Sequence, residues 1–239
     1  MHKNVEKMSL NYSPNFNLKK RSNSSIKYLI FHYTGMKSET KAIKRLTDIN
    51  SKVSCHYLVK RNGEIIQMLP DLYIAWHAGI SFWKKDKFLN KSSIGIEISN
   101  PGHQFKYKNF NNQQIKSIIN LSLKLKKRFK IKRENVLGHS DIAPLRKKDP
   151  GEKFPWKLLS KKKICLWHRL SHYYCKRLRK KKLTDLQSFD KLLFKFGYKI
   201  PENLTDKTKV YKSFQRRFRP ELISNFVDEE CKAILKSLN

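Results

Sequence analysis

The sequence predicts an α/β fold: a mixed central β-sheet covered by helices, followed by a small C-terminal helical module. Three observations carry this. Short apolar runs bounded by polar residues, at Lys27 to Tyr33 and Ile94 to Ser99, read as strands. Two more runs, Cys55 to Lys60 and Glu64 to Leu69, flank Asn62-Gly63, a pair that accepts positive φ at both central positions of a hairpin turn. Between and after them lie stretches with helical periodicity. The resulting order is strand, helix, hairpin, strand, helix, strand, which packs as a mixed sheet with helical layers.

Taken in order, residues 1–25 are polar and without clear period. Lys27 to Tyr33 is a buried strand. Ser38 to Asn50 is a helix, with Ser38 as cap, Glu39 in the first turn, and Ile43, Leu46 and Ile49 recurring on one face. The hairpin follows, and then the alternating strand Ile94 to Ser99. Asn112 to Lys130 is a helix with Ile115, Ile118, Ile119 and Leu123 inward and lysines outward. Asn135 to Leu137 is a last short strand, and it delivers His139 at its end. After Trp156 the composition shifts. Eleven Lys or Arg and no acidic residue lie between Lys157 and Lys182, which reads as a linker or a basic surface element. Thr184-Asp-Leu-Gln187 has capping-box form, and Leu186, Phe189, Leu193 and Phe196 share a face up to Gly197. Lys209 to Arg219 and Asp228 to Leu238 complete the module, broken at Pro220. About 55 residues are marginal as a separate fold, so the module is expected to pack on the main domain. The boundaries are 1–167 for the main domain, 168–182 for the basic linker and 183–239 for the module.

Composition narrows the function. The 239 residues are 39% apolar, enough to bury a core, but no run approaches the ~20 apolar residues of a spanning helix. The first ten residues lack the apolar segment of a secretion signal, so a cytoplasmic address is expected. Four cysteines, none in a C-x-x-C spacing, fit reduced thiols. The formal charge of +34 draws anionic partners at low salt. Most of the basic residues are lysines spread along the whole chain, which favours a compositional bias over a dedicated nucleic-acid surface.

Three residues fit a metalloenzyme. His32 closes the run Tyr28 to Phe31, His139 follows Val136-Leu-Gly138, and Asp149 lies ten residues further on. Two imidazoles and one carboxylate, with a fourth position left to water, make an open zinc site suited to hydrolysis. Glu97 sits on the otherwise apolar strand Ile94-Gly-Ile-Glu-Ile98, where an inward carboxylate costs desolvation and acquires a raised pKa. An outward Glu on the solvent face is the alternative.

The segments Tyr28-Leu-Ile-Phe-His-Tyr-Thr34, Ser54-Cys-His-Tyr-Leu-Val59, Ala75-Trp-His-Ala-Gly79, Ser93-Ile-Gly-Ile-Glu97 and Gly138-His-Ser-Asp-Ile-Ala-Pro-Leu-Arg-Lys-Lys-Asp-Pro-Gly151 occur in that order. Together they resemble the zinc N-acetylmuramoyl-L-alanine amidases of the AmpD and AmiD kind, which share the peptidoglycan-recognition-protein fold. The resemblance runs from about Asn11 to Trp167. It implies cleavage of the amide between the lactyl group of N-acetylmuramic acid and L-alanine in peptidoglycan or muropeptides. It also implies one zinc held by His32, His139 and Asp149, with Glu97 and Lys147 as catalytic residues. Lys147 stands two residues before Asp149, so one turn can aim both at a common centre, where an ammonium stabilises an oxyanion. In a run with Arg146 and Lys148 a solvated lysine is the competing role. The Trp-His-Ala-Gly loop of such enzymes borders the cleft, which places Trp76 and His77 on the substrate side. Arg146 is a candidate clamp for a stem-peptide carboxylate, alongside a solvated role.

The tail segment Phe214-Gln-Arg-Arg-Phe-Arg-Pro220 resembles the peptidoglycan-binding-type helical module of AmiD-like enzymes. The Asp-Gly turn usual after the Arg-Pro is replaced here by Ile223-Ser-Asn-Phe-Val227, so glycan binding and plain packing both stand. Two other readings compete with the enzyme: a non-catalytic recognition module on the same fold, and nucleic-acid binding through Lys157–Lys182. A monomer is expected.

Overall fold

The computed structural model describes residues 8–238. In chain order the described strands are β1 (Met8–Leu10), β2 (Phe16–Asn17), β3 (Tyr28–Tyr33), β4 (Tyr57–Val59), β5 (Ile65–Gln67), β6 (Ile74–Ala75), β7 (Phe82–Trp83), β8 (Asp86–Lys87), β9 (Ser93–Ile98) and β10 (Val136–Gly138). The helices are α1 (Glu39–Thr47), α2 (Asn112–Phe129), α3 (His139–Ile142), α4 (Trp156–Lys161), α5 (His172–Leu178), α6 (Leu186–Phe196), α7 (Leu204–Phe218) and α8 (Glu229–Leu238). Six strands form the central sheet in the order β1-β5-β4-β9-β3-β10. The β4–β5 hairpin is antiparallel and every other neighbouring pair is parallel, so the sheet is mixed, as expected. Strand β1 lies in the stretch that showed no period; it is an edge strand completing its ladder on β5.

Strand alternation divides the core into two layers. Leu29 and Phe31 of β3, Ile94, Ile96 and Ile98 of β9, and Val136 of β10 pack with Ile118, Leu121, Leu125 and Phe129 of α2. Tyr28 and Ile30 of β3 and Leu137 of β10 face the other way, onto Phe189, Leu193, Phe214 and Phe218 of the C-terminal helices. The helical module therefore covers the second face of the sheet. The basic stretch 168–182 carries α5, and its end pairs back on the module through a bridge between Lys182 and Asp228.

Several details differ from the expectations above. Ile49 is exposed, because the first helix ends at Thr47. The helix expected from Lys209 begins five residues earlier, at Leu204, capped by Asn203. Leu123 of α2 is exposed, because the buried stripe runs through Ile118, Leu121, Leu125 and Phe129, and Leu123 points away from it. The cap of α6 is Asp185 and not Thr184: the Asp185 side chain accepts the Ser188 N–H. Gly197 ends that helix as expected. Among the described residues no helix is long and apolar enough to cross a membrane.

Candidate active site

The parallel strands β4, β9, β3 and β10 bring their carboxyl ends to one side of the sheet, where open α/β folds bind ligands. His32 follows Tyr28 and Ile30 on the same face of β3, one pleat beyond the core. Glu97 occupies the equivalent place on β9, directly opposite His32 in the ladder. Strand β10 stops at Gly138, and His139 starts α3. Asp149 arrives on the loop that returns past this point: Ser140 N–H donates to the Asp149 carbonyl at 2.8 Å, and the Pro150 ring lies against Gly138. A Cβ at Gly138 would meet Pro150 Cδ at 2.7 Å, so this approach of loop to strand requires glycine.

His32, His139 and Asp149 converge. The two Nδ1 atoms are 2.9 Å apart, and each lies 3.1 Å from Asp149 Oδ2. All three side chains are buried, and their ligand atoms lie within 4.8 Å of one another. The outer ring nitrogens are engaged elsewhere. His139 Nε2 is 3.1 Å from the Ala78 carbonyl, which can only accept. His32 Nε2 is 3.0 Å from His77 Nδ1, and His77 Nε2 is 3.1 Å from Ser93 Oγ. Ser93 donates its hydroxyl to the Leu89 carbonyl at 2.6 Å. That last bond sets the direction of the chain: Ser93 accepts from His77 Nε2–H, and His77 Nδ1 accepts from His32 Nε2–H. Both His32 and His139 thus turn an Nδ1 lone pair toward Asp149. Two lone pairs and a carboxylate oxygen at this separation repel unless a cation lies among them, and the donor set suits a divalent metal.

The electrostatics agree. Burial, aided by His139, lowers the His32 imidazole to about 4, so it is neutral and able to ligate. Burial alone would raise Asp149, but positive charge and N–H donation from the imidazoles of His139 and His32 would outweigh it and hold the carboxyl well below the usual range, a part that a metal cation takes over when the Nδ1 lone pairs face inward. Burial first, and the Asp149 charge second, push Glu97 up to about 8, while Lys147 pulls the other way. Its Oε2 is buried without a hydrogen-bond partner, and Glu97 lines the site, so an unsatisfied carboxyl oxygen is left there for a proton transfer.

These groups line a cleft of about 690 Å³, together with Trp76, Arg45, His103, Phe105 and Lys147. Trp76 is half-buried in the wall, its indole N–H donating to Asn17 Oδ1 at 2.8 Å. Lys147 lies in the cleft as expected, its charge acting on both Glu97 and His32.

Two of the cleft residues have structural tasks as well. His77 has both ring nitrogens engaged by His32 and Ser93, and its ring lies on the backbone of Gly95, where a Cβ would come within 2.4 Å. It backs the ligand His32 from the wall of the cleft. The Arg146 guanidinium donates through Nε and Nη2 to the carbonyls of Ala78 and Ile80 (2.8 Å from Nη2 for the latter), so it ties down the loop whose Ala78 carbonyl holds His139, while the same side chain lines the cleft and its Nη1 takes no part in these bonds. His56 is packed beneath the site, its Nδ1 accepting the Gly95 N–H. His103 bridges Tyr33 Oη at 2.9 Å and Glu152 at 3.0 Å. Ser93 was missed, although it shares the face of Gly95 and Glu97 at a spacing of two.

The chain is similar to known proteins in sequence and in fold. A family model described as N-acetylmuramoyl-L-alanine amidase matches residues 22–152. The N-acetylmuramoyl-L-alanine amidase AmiD of Escherichia coli K12 is 39% identical over 230 residues, covering 89% of this chain and 82% of the relative. The solved structure of E. coli AmiD, in complex with anhydro-N-acetylmuramic acid-L-Ala-D-gamma-Glu-L-Lys, superposes with a TM-score of 0.83 at 35% identity, covering 93% of this chain and 91% of that one. AmpDh3 of Pseudomonas aeruginosa, solved with an anhydromuramic pentapeptide, gives 0.81 at 29% identity, covering 95% and 96%. With the family model spanning five of the six sheet strands and all three converging residues, this chain belongs to the N-acetylmuramoyl-L-alanine amidase family.

Proposed function

We propose that this chain hydrolyses the amide between the lactyl group of N-acetylmuramic acid and L-alanine in soluble anhydro-muropeptides, as a step in cell-wall recycling, with one zinc ion as cofactor. The observation that carries this is the convergence of His32, His139 and Asp149 beside Glu97 and Lys147 in one cleft. Two neutral imidazoles and a carboxylate match the ligand set of an open catalytic zinc site. When bound, zinc polarises the scissile carbonyl and makes water a competent nucleophile at neutral pH. Glu97 takes the proton of the attacking water at its unpartnered Oε2 and delivers a proton to the leaving amine. Lys147 donates to the oxyanion of the tetrahedral intermediate. Trp76 supplies an apolar wall for the muramyl end, and Arg146 acts on the reaction by fixing the loop that holds His139.

The anhydromuramic peptides in the two solved relatives support fragments as the substrate class. Four free, buried thiols, Cys55, Cys165, Cys175 and Cys231, fit a cytoplasmic address, which cell fractionation tests. The central experiment is metal analysis of the purified chain with turnover of a defined 1,6-anhydro-muropeptide against whole sacculi. One zinc per chain and fragment turnover, abolished in His139→Ala, is expected. A zinc-loaded chain that leaves the fragment intact would sink the reading, and turnover of sacculi alone would move the substrate to intact wall.

A further inference from the structure

The C-terminal helices do more than cover the sheet. Asp141 lies two residues after His139 in α3 and is 1% exposed. Its Oδ2 accepts the Gly138 N–H at 2.8 Å and Arg217 Nη1 of α7 at 2.5 Å, and its Oδ1 accepts the Tyr198 hydroxyl at 2.6 Å. Arg217 is itself buried. Its Nη2 donates to the Val136 carbonyl at 2.9 Å, and its guanidinium lies 4.5 Å from the centre of the Trp156 ring. One side chain from the module therefore grips the start of β10 and the turn of α3, and Gly138 and His139 lie between the two grips.

A second contact reaches the other ligand. Ser213 of α7 donates to the Ser140 carbonyl at 2.6 Å, and the Ser140 N–H donates to the Asp149 carbonyl. Arg216 on the same helix lies 3.5 Å from Glu152, three residues after Asp149, and Glu152 also meets His103 in the cleft. Apolar contacts alone would fasten these helices to the sheet, because burying a matched ion pair stabilises no better than packed hydrocarbon. What a buried arginine whose planar fork spans two separate partners adds is fixed geometry at the backbone it holds.

We propose that α7 is a brace for the metal centre, with Arg217 as a positioning residue for the ligand His139, acting through Asp141, and Ser213 as a lesser one acting through Ser140 on Asp149. This rests on the zinc reading above. The module is thereby part of the metal site's support even where it touches no substrate.

The test is zinc affinity of the full-length chain, measured by competition with a chromophoric chelator, alongside the melting temperature of the metal-free protein. Arg217→Met is expected to weaken zinc by about 10–100-fold, the usual cost of losing a ligand's outer support. Arg217→Lys, which keeps the charge but loses the fork, falls between it and wild type. Tyr198→Phe and Ser213→Ala each remove one hydroxyl from the brace without burying a lone charge, and they shift affinity in the same direction by smaller factors. Ile234→Val, in the module core and outside the brace, lowers the melting temperature and leaves zinc affinity unchanged. If Arg217→Met fails to fold, Tyr198→Phe and Ser213→Ala decide. Wild-type affinity in both, or an affinity loss in Ile234→Val that follows its melting temperature, overturns the brace. A wild-type chain that binds no zinc removes the zinc reading itself, which is a distinct result.

Discussion

His32 Nε2 lies 3.0 Å from His77 Nδ1, and through it the ligand is tied to Ser93 and the Leu89 carbonyl. This relay of proton positions fixes which nitrogen of His32 is free to ligate. His77→Phe keeps the ring volume but has no acceptor for the His32 N–H. Zinc affinity is expected to fall about 10–100-fold. Chelator competition checks it, and an unchanged affinity would show that packing alone holds the His32 ring.

Gly95 gives the His77 ring its room. Gly95→Ala places a methyl about where the ring stands, 2.4 Å from its Cγ. Stability should drop by about 1–3 kcal/mol, and zinc affinity with it, because the ring must shift. Denaturant unfolding of the metal-free protein reads the first effect.

Glu97→Gln should lower kcat by about 10²–10⁴ while leaving zinc content intact, since a Gln cannot move a proton and Glu97 is not in the ligand triad. Loss of zinc together with activity would place Glu97 among the ligands instead.

The same residue makes a stability prediction whose sign can be worked out. In the fold the Glu97 carboxyl keeps its proton up to about 8, against an ordinary 4.5. Between those values the unfolded chain binds fewer protons than the folded one, so this group's contribution to stability falls as pH rises, and the cost is complete above about 8. Glu97→Gln removes it. The melting temperature of the metal-free variant should rise relative to wild type as pH goes from 5 to 9. A difference independent of pH would contradict the buried, protonated carboxyl.

Lys147→Met should reduce kcat by about 10²–10³ with a small change in KM, as for loss of an oxyanion donor. A rise in KM at constant kcat would assign Lys147 to ground-state binding instead.

The sequence by itself determined the mixed sheet, the Asn62-Gly63 hairpin, the α2 and α6 helices and the three converging residues. Each of these rests on local pattern: alternation along a strand, period along a helix, or ordered motifs that name the ligands. Edge strand β1 escaped because three residues show no period, and it exists only through its ladder on β5. Tertiary structure alone decided what His77 and Arg146 touch. Both stand in motifs that border the cleft, and only the approach of β9 to the 77–80 loop shows one behind His32 and the other bonded to loop carbonyls. It alone decided, too, that Arg217 meets Asp141 across 76 residues of chain. A side chain's type and spacing fix which chemistry it can perform; which partner it finds depends on distances that fold topology sets and no local pattern records.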